Sequence, residues 1–354
     1  KQHSVLLTAL ELQGKSRIKF DTPLLEAHGN IADDTKLTSD VDRYIQQHYA
    51  SINGALIYMG ITCRCDFTFA LSKTSKGMHD PRPKHVAMLK QLLGYTLKNK
   101  DIGLVFEQKP ELFSMLTEVS KTDAALSFIT TSDGQCIHRF TGFADANFAN
   151  LSDDERKSNT GFIIFLFGCA ICWRSKLQPI TATSTHEAEL IACASASQEI
   201  IWCRKLLQDL GFALNLTPVK LSDPNRIREC LEDDGITVSD EQYQLDPLWL
   251  FNDNLGTTQT INRPESSSQR SKHIDLRYYC VRQYVRDMKI RVAYIGTDYN
   301  IADFFTKGLT YPKFSLFRKR IGLLSRRWAP VRACYEQGAW GSAGSWHLGV
   351  PGYQ

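Results

Sequence analysis

The sequence predicts an α/β protein: a mixed sheet flanked by helices, preceded by a smaller, mainly helical part. Three observations carry this. Up to about residue 98 apolar residues recur at three- and four-residue steps, the helical spacing. From Phe140 onward the pattern changes to short runs rich in β-branched and aromatic residues. The order that follows (strand, strand, strand, helix, strand, helix, strand, helix) is one that packs as helices on a sheet.

Residues 1–40 are polar with weak periodicity and read as an extended, partly ordered lead-in. Tyr44, Ile45, Tyr49, Ile52, Leu56 and Met59 then lay one apolar stripe on a helix. A second helical stretch spans 67–75. A third opens behind Pro81 and Pro83 and runs over 84–97, because proline is tolerated in a first turn. Residues 102–106 read as a short strand and 110–119 as a short helix. Strands are expected over 140–148, 161–167 and 170–175. A long helix begins near Ser184 and Thr185 with Glu187 and Glu189 in its first turns, and stops at Gly211. Next come a strand over 248–251, a short helix after Asn254, a helix around 273–288, a strand over 291–295 and a last helix from Asn300. Residues 325–354 carry three of the six tryptophans among Gly, Ser and Arg without a period, and read as disordered or foreign to the fold.

Composition excludes whole classes of protein. With 43% apolar and 23% charged side chains, the chain is neither collagen-like, mucin-like nor wholly disordered. Its longest apolar run, 161–173, is well short of the ~20 residues that cross a bilayer. A net charge of +4 does not by itself identify a polyanion partner. The ten cysteines are scattered; Cys63 with Cys65 and Cys169 with Cys172 lack partners at zinc spacing, and read as buried or half-buried free thiols of a reducing compartment. The chain begins at Lys1 without an initiator Met or a secretory leader, and reads as a piece of something longer.

Four acids stand out by position. Asp145 lies within an apolar strand, Glu189 in the first turns of the long helix, Asp253 where a hydrophobic strand ends, and Asp303 at the start of the last helix. Carboxylates amid apolar neighbours are costly unless a cation offsets them. Hard divalent cations take oxygen ligands, and paired metals serve phosphoryl displacement. Taken singly, each acid also fits a plainer role. Glu189 fits a helix N-terminal acid, Asp303 a cap and Asp253 a turn former.

At these residues the sequence resembles the C-terminal part of the Pol polyprotein of copia-type LTR retrotransposons. The resemblance is carried by Ala144-Asp145-Ala146-Asn147 with Asp154-Glu155-Arg156-Lys157-Ser158, by Trp173-Arg174-Ser175-Lys176, and by Ser184-Thr185-His186-Glu187-Ala188-Glu189. Further along it is carried by Asn252-Asp253-Asn254, Ser271-Lys272-His273-Ile274-Asp275 and Ile301-Ala302-Asp303-Phe304-Phe305-Thr306-Lys307. Upstream, Gly54-Ala55-Leu56-Ile57-Tyr58 and Arg64-Cys65-Asp66 resemble the segment that joins reverse transcriptase to its ribonuclease H domain.

The resemblance implies a polar lead-in (1–40), a helical connecting segment (41–106), a linker (107–139), a ribonuclease H-like domain with a five-stranded mixed sheet (140–322) and a disordered tail (323–354). It implies Mg²⁺-dependent hydrolysis of the RNA strand of RNA/DNA hybrids. Asp145 would bridge two Mg²⁺, Glu189 and Asp253 would hold the first and Asp303 the second, with Mn²⁺ as a substitute. Glu187 is the rival to Glu189. Nucleic-acid contacts would come from Arg156, Lys157, Ser175, Lys176, Lys272 and Lys307; His273 is either a proton carrier or a packed residue. The implied partners are the hybrid and the polymerase domain of the same polyprotein, with no membrane, in a cytoplasmic virus-like particle or the nucleus. The Tyr-x-Asp-Asp turn of the polymerase is absent. Asn147 stands where the family usually has Asp, and about 217–247 the chain is longer than the family. Those departures keep a second reading open, a catalytically inactive relic that binds nucleic acid or packs on a polymerase.

Overall fold

The computed structural model describes residues 2–15, 20–24, 36–106, 111–122, 140–148, 157–209, 216–218, 243–245, 248–263 and 280–325. Five helices come first: α1 (Gln2–Lys15), α2 (Asp40–Gln47), α3 (Tyr49–Thr62), α4 (Thr68–Thr74) and α5 (Pro83–Lys98). Ser39 caps α2, its Oγ accepting from the Asp42 N–H at 3.1 Å. Pro83 sits in the first turn of α5. Strand β1 (Ile102–Leu104) and helix α6 (Glu111–Thr122) lead to the sheet region. There follow β2 (Phe140–Asn147), β3 (Asn159–Leu166), β4 (Cys169–Leu177), α7 (Thr185–Asp209), the short pair β5 (Leu216–Pro218) and β6 (Tyr243–Leu245), and β7 (Leu248–Asn252). The chain continues through α8 (Leu255–Asn262), α9 (Cys280–Arg286), β8 (Ile290–Tyr294), a 3₁₀ turn (Ile301–Phe305), α10 (Tyr311–Ile321) and β9 (Leu323–Ser325).

The main sheet has the order β4-β3-β2-β7-β8. Its first three strands are antiparallel, and β2, β7 and β8 run parallel. This is the mixed five-stranded sheet with flanking helices that the element order predicts. The β3–β4 hairpin turns on Phe167 and Gly168, both at positive φ, the backbone that matches strand twist in a two-residue turn.

Side chains alternate across the sheet, and both faces are covered. Ala144, Phe162, Ile164, Leu248, Leu250 and Val292 pack with α7 residues Ala188, Ala192, Ala196 and Ile200. Phe143, Ile163, Phe165 and Phe251 pack in the other direction, in one cluster with Phe305, Phe314 and Phe317 that extends to Ile52, Leu56 and Leu89 of the helical part. Strands buried on both faces explain why β2, β3 and β7 read as nearly continuous apolar runs. The Trp173 Nε1–H on β4 donates to the Gly60 carbonyl of α3 at 2.8 Å, tying the two parts directly.

Four expectations are corrected. The polar lead-in begins with a helix, because Leu6 and Ala9 of α1 are buried against the other helices. Leu323–Ser325, placed at the head of the disordered tail, instead pairs antiparallel with β1; Gly322, in the left-handed region at φ 86°, ends α10 and turns the chain into that strand. The last helix does not run on from Asn300. Asn300 caps the 3₁₀ turn, and α10 starts eleven residues later, at Tyr311, with Pro312 in its first turn. Cys63 is exposed rather than buried, whereas Cys65 is buried. Residues 219–242, within the long stretch about 217–247, and 326–354 lie outside the described residues.

Candidate metal centre

The register of the parallel strands sets two of the acids side by side. Phe143 of β2 pairs with Phe251 of β7, so Asp145 and Asp253 each lie two residues further along, at the C-terminal ends of adjacent strands. In open α/β sheets, ligand sites form at such strand ends. Glu189 arrives from the second turn of α7, which packs on β2. Carboxylate oxygens of Asp145, Glu189 and Asp253 all lie within 4.8 Å of one another. Asp145 is 3% and Glu189 7% exposed.

Neighbouring side chains hold the acids in place. The Thr306 hydroxyl donates to Asp145 Oδ2. The Asn252 amide donates to Glu189 Oε2 at 2.8 Å and to the Ala144 carbonyl at 3.0 Å, and Asn300 Nδ2 donates to that carbonyl at 3.1 Å. Gly161 faces Asp145 across the β2–β3 ladder. A Cβ there would lie 2.6 Å from Thr306 Cγ2 and 2.8 Å from Phe305 Cβ, so glycine lets the 3₁₀ turn close on β3 beside the acids.

Electrostatics mark the centre as short of positive charge. Burial pushes the Asp145 carboxyl up to about 7; the Lys307 ammonium opposes the rise, while Asp303 and Asp253 add to it. Burial also raises Glu189 well above the usual carboxylate range, reinforced by Asp145 and opposed by the Asn252 hydrogen bond. Burial works against the Lys307 charge, but Asp145 and Asp303 outweigh it and hold that ammonium above its ordinary value. Three clustered carboxylates form an all-oxygen donor set suited to a hard divalent cation. The Cys193 thiol on α7 is kept protonated, first by burial and then by the nearby acids, so it adds no soft ligand. Asp145, Glu189 and Asp253 therefore form a group that can hold a metal ion.

Asp303 takes a different position. Its side chain is fully buried but not part of the 4.8 Å group. Its Oδ1 meets Lys307 Nζ at 2.6 Å and its Oδ2 meets Lys313 Nζ at 2.9 Å. Lys307, expected at phosphate, is thus engaged with an acid. Glu187, the rival to Glu189, accepts from the Thr183 N–H and hydroxyl at 2.7 and 2.8 Å, while Ser184 Oγ accepts from the Glu187 N–H at 3.1 Å. It closes the N-terminus of α7 as a capping carboxylate. Lys157 and Ser175 are half-buried and Lys176 exposed. Ser175 Oγ accepts from Asn159 Nδ2 at 3.0 Å. Arg156, Lys272 and His273 lie outside the described residues. Sequence reasoning missed Asn252, Asn300, Thr306 and Lys313. Asn252 and Thr306 lie in the same blocks as the named acids and Asn300 directly precedes one of those blocks, and that proximity was the available signal; Lys313 carried none.

Fold and centre together define an α/β protein with a carboxylate group, able to hold a metal ion, at the ends of parallel strands. Comparison with curated proteins adds the relationship that the motif blocks imply. The chain is similar to "Retrovirus-related Pol polyprotein from transposon TNT 1-94" of Nicotiana tabacum, at 28% identity over 277 residues, 78% of this chain and 16% of the relative. Two such polyproteins of Arabidopsis thaliana are also similar. That from transposon RE2 is 28% identical over 78% of this chain and 15% of the relative, and that from transposon RE1 is 27% identical over 82% and 15%. The chain thus spans about one sixth of the length of these relatives. No family model and no solved structure matches. The resemblance to a fragment of a copia-type Pol polyprotein holds over most of the chain. No helix among the described residues is long and apolar enough to cross a membrane.

Proposed function

We propose that this chain is the ribonuclease H part of a retrotransposon Pol polyprotein, hydrolysing the RNA strand of RNA/DNA hybrids with Mg²⁺. The observation that carries the reading is the convergence of Asp145, Glu189 and Asp253 within 4.8 Å at the ends of adjacent strands. Those three residues would hold a divalent cation, with Asp303 as the further acid implied by the motif resemblance. When bound, such cations activate water and stabilise the departing 3′ oxygen. Thr306 and Asn252 keep the Asp145 and Glu189 carboxylates oriented by donating to them. The 2′-hydroxyls in the wide groove of a hybrid distinguish the RNA strand, and Lys157, Ser175 and Lys176, with Arg156 and Lys272, supply the phosphate contacts. Residues 41–106 serve as the connecting segment, packed on the sheet through Trp173 and Gly60, and a polymerase domain of the same polyprotein is the partner.

A hybrid carrying a fluorescent RNA strand, incubated with Mg²⁺, tests the proposal. The RNA strand should be cut while single-stranded RNA and the DNA strand survive. Asp145→Asn should slow cleavage about a thousandfold, equivalent to about 4 kcal/mol in the barrier. Wild type cutting no faster than the Asp145→Asn, Asp253→Asn double variant would leave the non-catalytic, nucleic-acid-binding reading in its place.

A further inference from the structure

Asp303 is the acid that the resemblance assigns to a second metal, yet both of its oxygens already meet ammonium groups. Lys307 Nζ lies 2.6 Å from Oδ1 and Lys313 Nζ 2.9 Å from Oδ2, and the Asp303 side chain has no exposed surface. Lys307 is not loosely placed. Its N–H donates to the Asp303 carbonyl at 3.3 Å, and the preceding residue, Thr306, is hydrogen-bonded to Asp145. Its charge acts on Asp145 as well as on Asp303. Lys313 is fixed on the far side, donating to the Thr297 carbonyl at 3.4 Å and lying 5.4 Å from the centroid of the Phe317 ring. Lys313 Nζ also lies 3.8 Å from Asp298 Oδ1, but that side chain is 94% exposed and screened by water. Ionised, the remaining four carboxylates Asp145, Glu189, Asp253 and Asp303 with the two ammonium groups carry a net charge of −2, which matches one divalent cation.

We propose that Lys307 fills the second cation position with its own ammonium, so that the folded chain takes one divalent ion at this centre rather than two. The inference rests on the metal-dependent reading above and deepens it. Lys307 is then a positioning residue: it holds Asp303 beside the acid group and restricts what the centre can load. A ligand or substrate phosphate able to draw Lys307 away would open the second position.

Counting bound ions separates this from the parent reading. Mn²⁺ gives a sharp resonance when free, so its loss on titration counts the ions bound per chain at equilibrium. Wild type should bind about one at the centre, and Lys307→Met about two, with an unchanged circular dichroism spectrum. Lys307→Arg should stay at about one, and Lys307→Met combined with Asp303→Asn should return to one. Two ions on wild type, or one on a natively folded Lys307→Met, overturns the inference while leaving the metal centre standing. No ion on wild type removes the metal reading itself and this inference with it. If Lys307→Met does not fold, Lys307→Gln and the wild-type count decide by the same criteria.

Discussion

Asp66, in the helical part, and Asp145, at the end of β2, are buried to the same degree, 2% and 3% exposed. They differ in what meets the charge. Arg64 grips Asp66 with two parallel hydrogen bonds, Nε to Oδ1 at 2.9 Å and Nη2 to Oδ2 at 2.8 Å, and the Tyr95 hydroxyl donates at 2.7 Å. The guanidinium also lies 4.2 Å from the centroid of the Phe67 ring and donates to the Asn99 carbonyl, whose side chain accepts from Arg318. That carboxylate is matched from within, and the same network reaches α10 through Asn99 and Arg318. At the sheet end, three carboxylates crowd together with Lys307 as the nearby cation, itself shared with Asp303. A buried acid that the chain matches internally is framework. One left short of positive charge is poised for a cation from outside.

The largest effect expected from breaking this contrast is in the helical part. Arg64→Ala leaves Asp66 buried without its partner and should cost about 3–5 kcal/mol in urea unfolding. A loss under about 1 kcal/mol would mean that the pair is not what matches Asp66. The opposite sign is expected at the sheet end. Asp145→Asn removes a charge that the metal-free fold carries at a cost, and should stabilise the metal-free protein at pH 8 by roughly 2–3 kcal/mol.

The pH dependence follows from the direction of the shift. The Asp145 carboxyl is raised to about 7 in the fold, by burial first, against about 3.9 in the unfolded chain. The fold therefore holds its proton more tightly, and metal-free stability falls as pH rises from about 4 to about 7. A melting temperature that is flat or rising over that window in the wild type, or unchanged in its slope by Asp145→Asn, would contradict the assignment. A smaller effect is expected at Asn252, which orients Glu189. Asn252→Ala should weaken Mg²⁺ binding about 10–100-fold by calorimetry. The smallest is at Glu187. Glu187→Ala should cost only about 1 kcal/mol of stability and leave Mg²⁺ affinity intact, because this acid caps α7. A large loss of affinity there would reverse the roles of Glu187 and Glu189.

Much of this was legible in the sequence because local rules agree with the packing. The entry to α7 carries its own Ser184/Glu187 cap, Asn254 caps α8, and the apolar runs of β2, β3 and β7 are those of strands covered on both faces. What was not legible depends on contacts distant in sequence. β9 exists because β1, more than two hundred residues earlier, offers an edge. α1 is held by burying Leu6 and Ala9 against later helices. Asp303 looked equivalent to the other three acids because nothing local tells that Lys313, ten residues on and past a 3₁₀ turn, reaches back to it.

The contrast between the two buried acids is tested most directly by melting the protein at pH 8 with and without Mg²⁺. Saturating Mg²⁺ should raise the wild-type melting temperature by roughly 5 °C or more. The Asp145→Asn, Asp253→Asn double variant should melt higher than wild type without Mg²⁺ and gain nothing on its addition. No Mg²⁺ response in wild type, or an equal response in the double variant, would contradict the account.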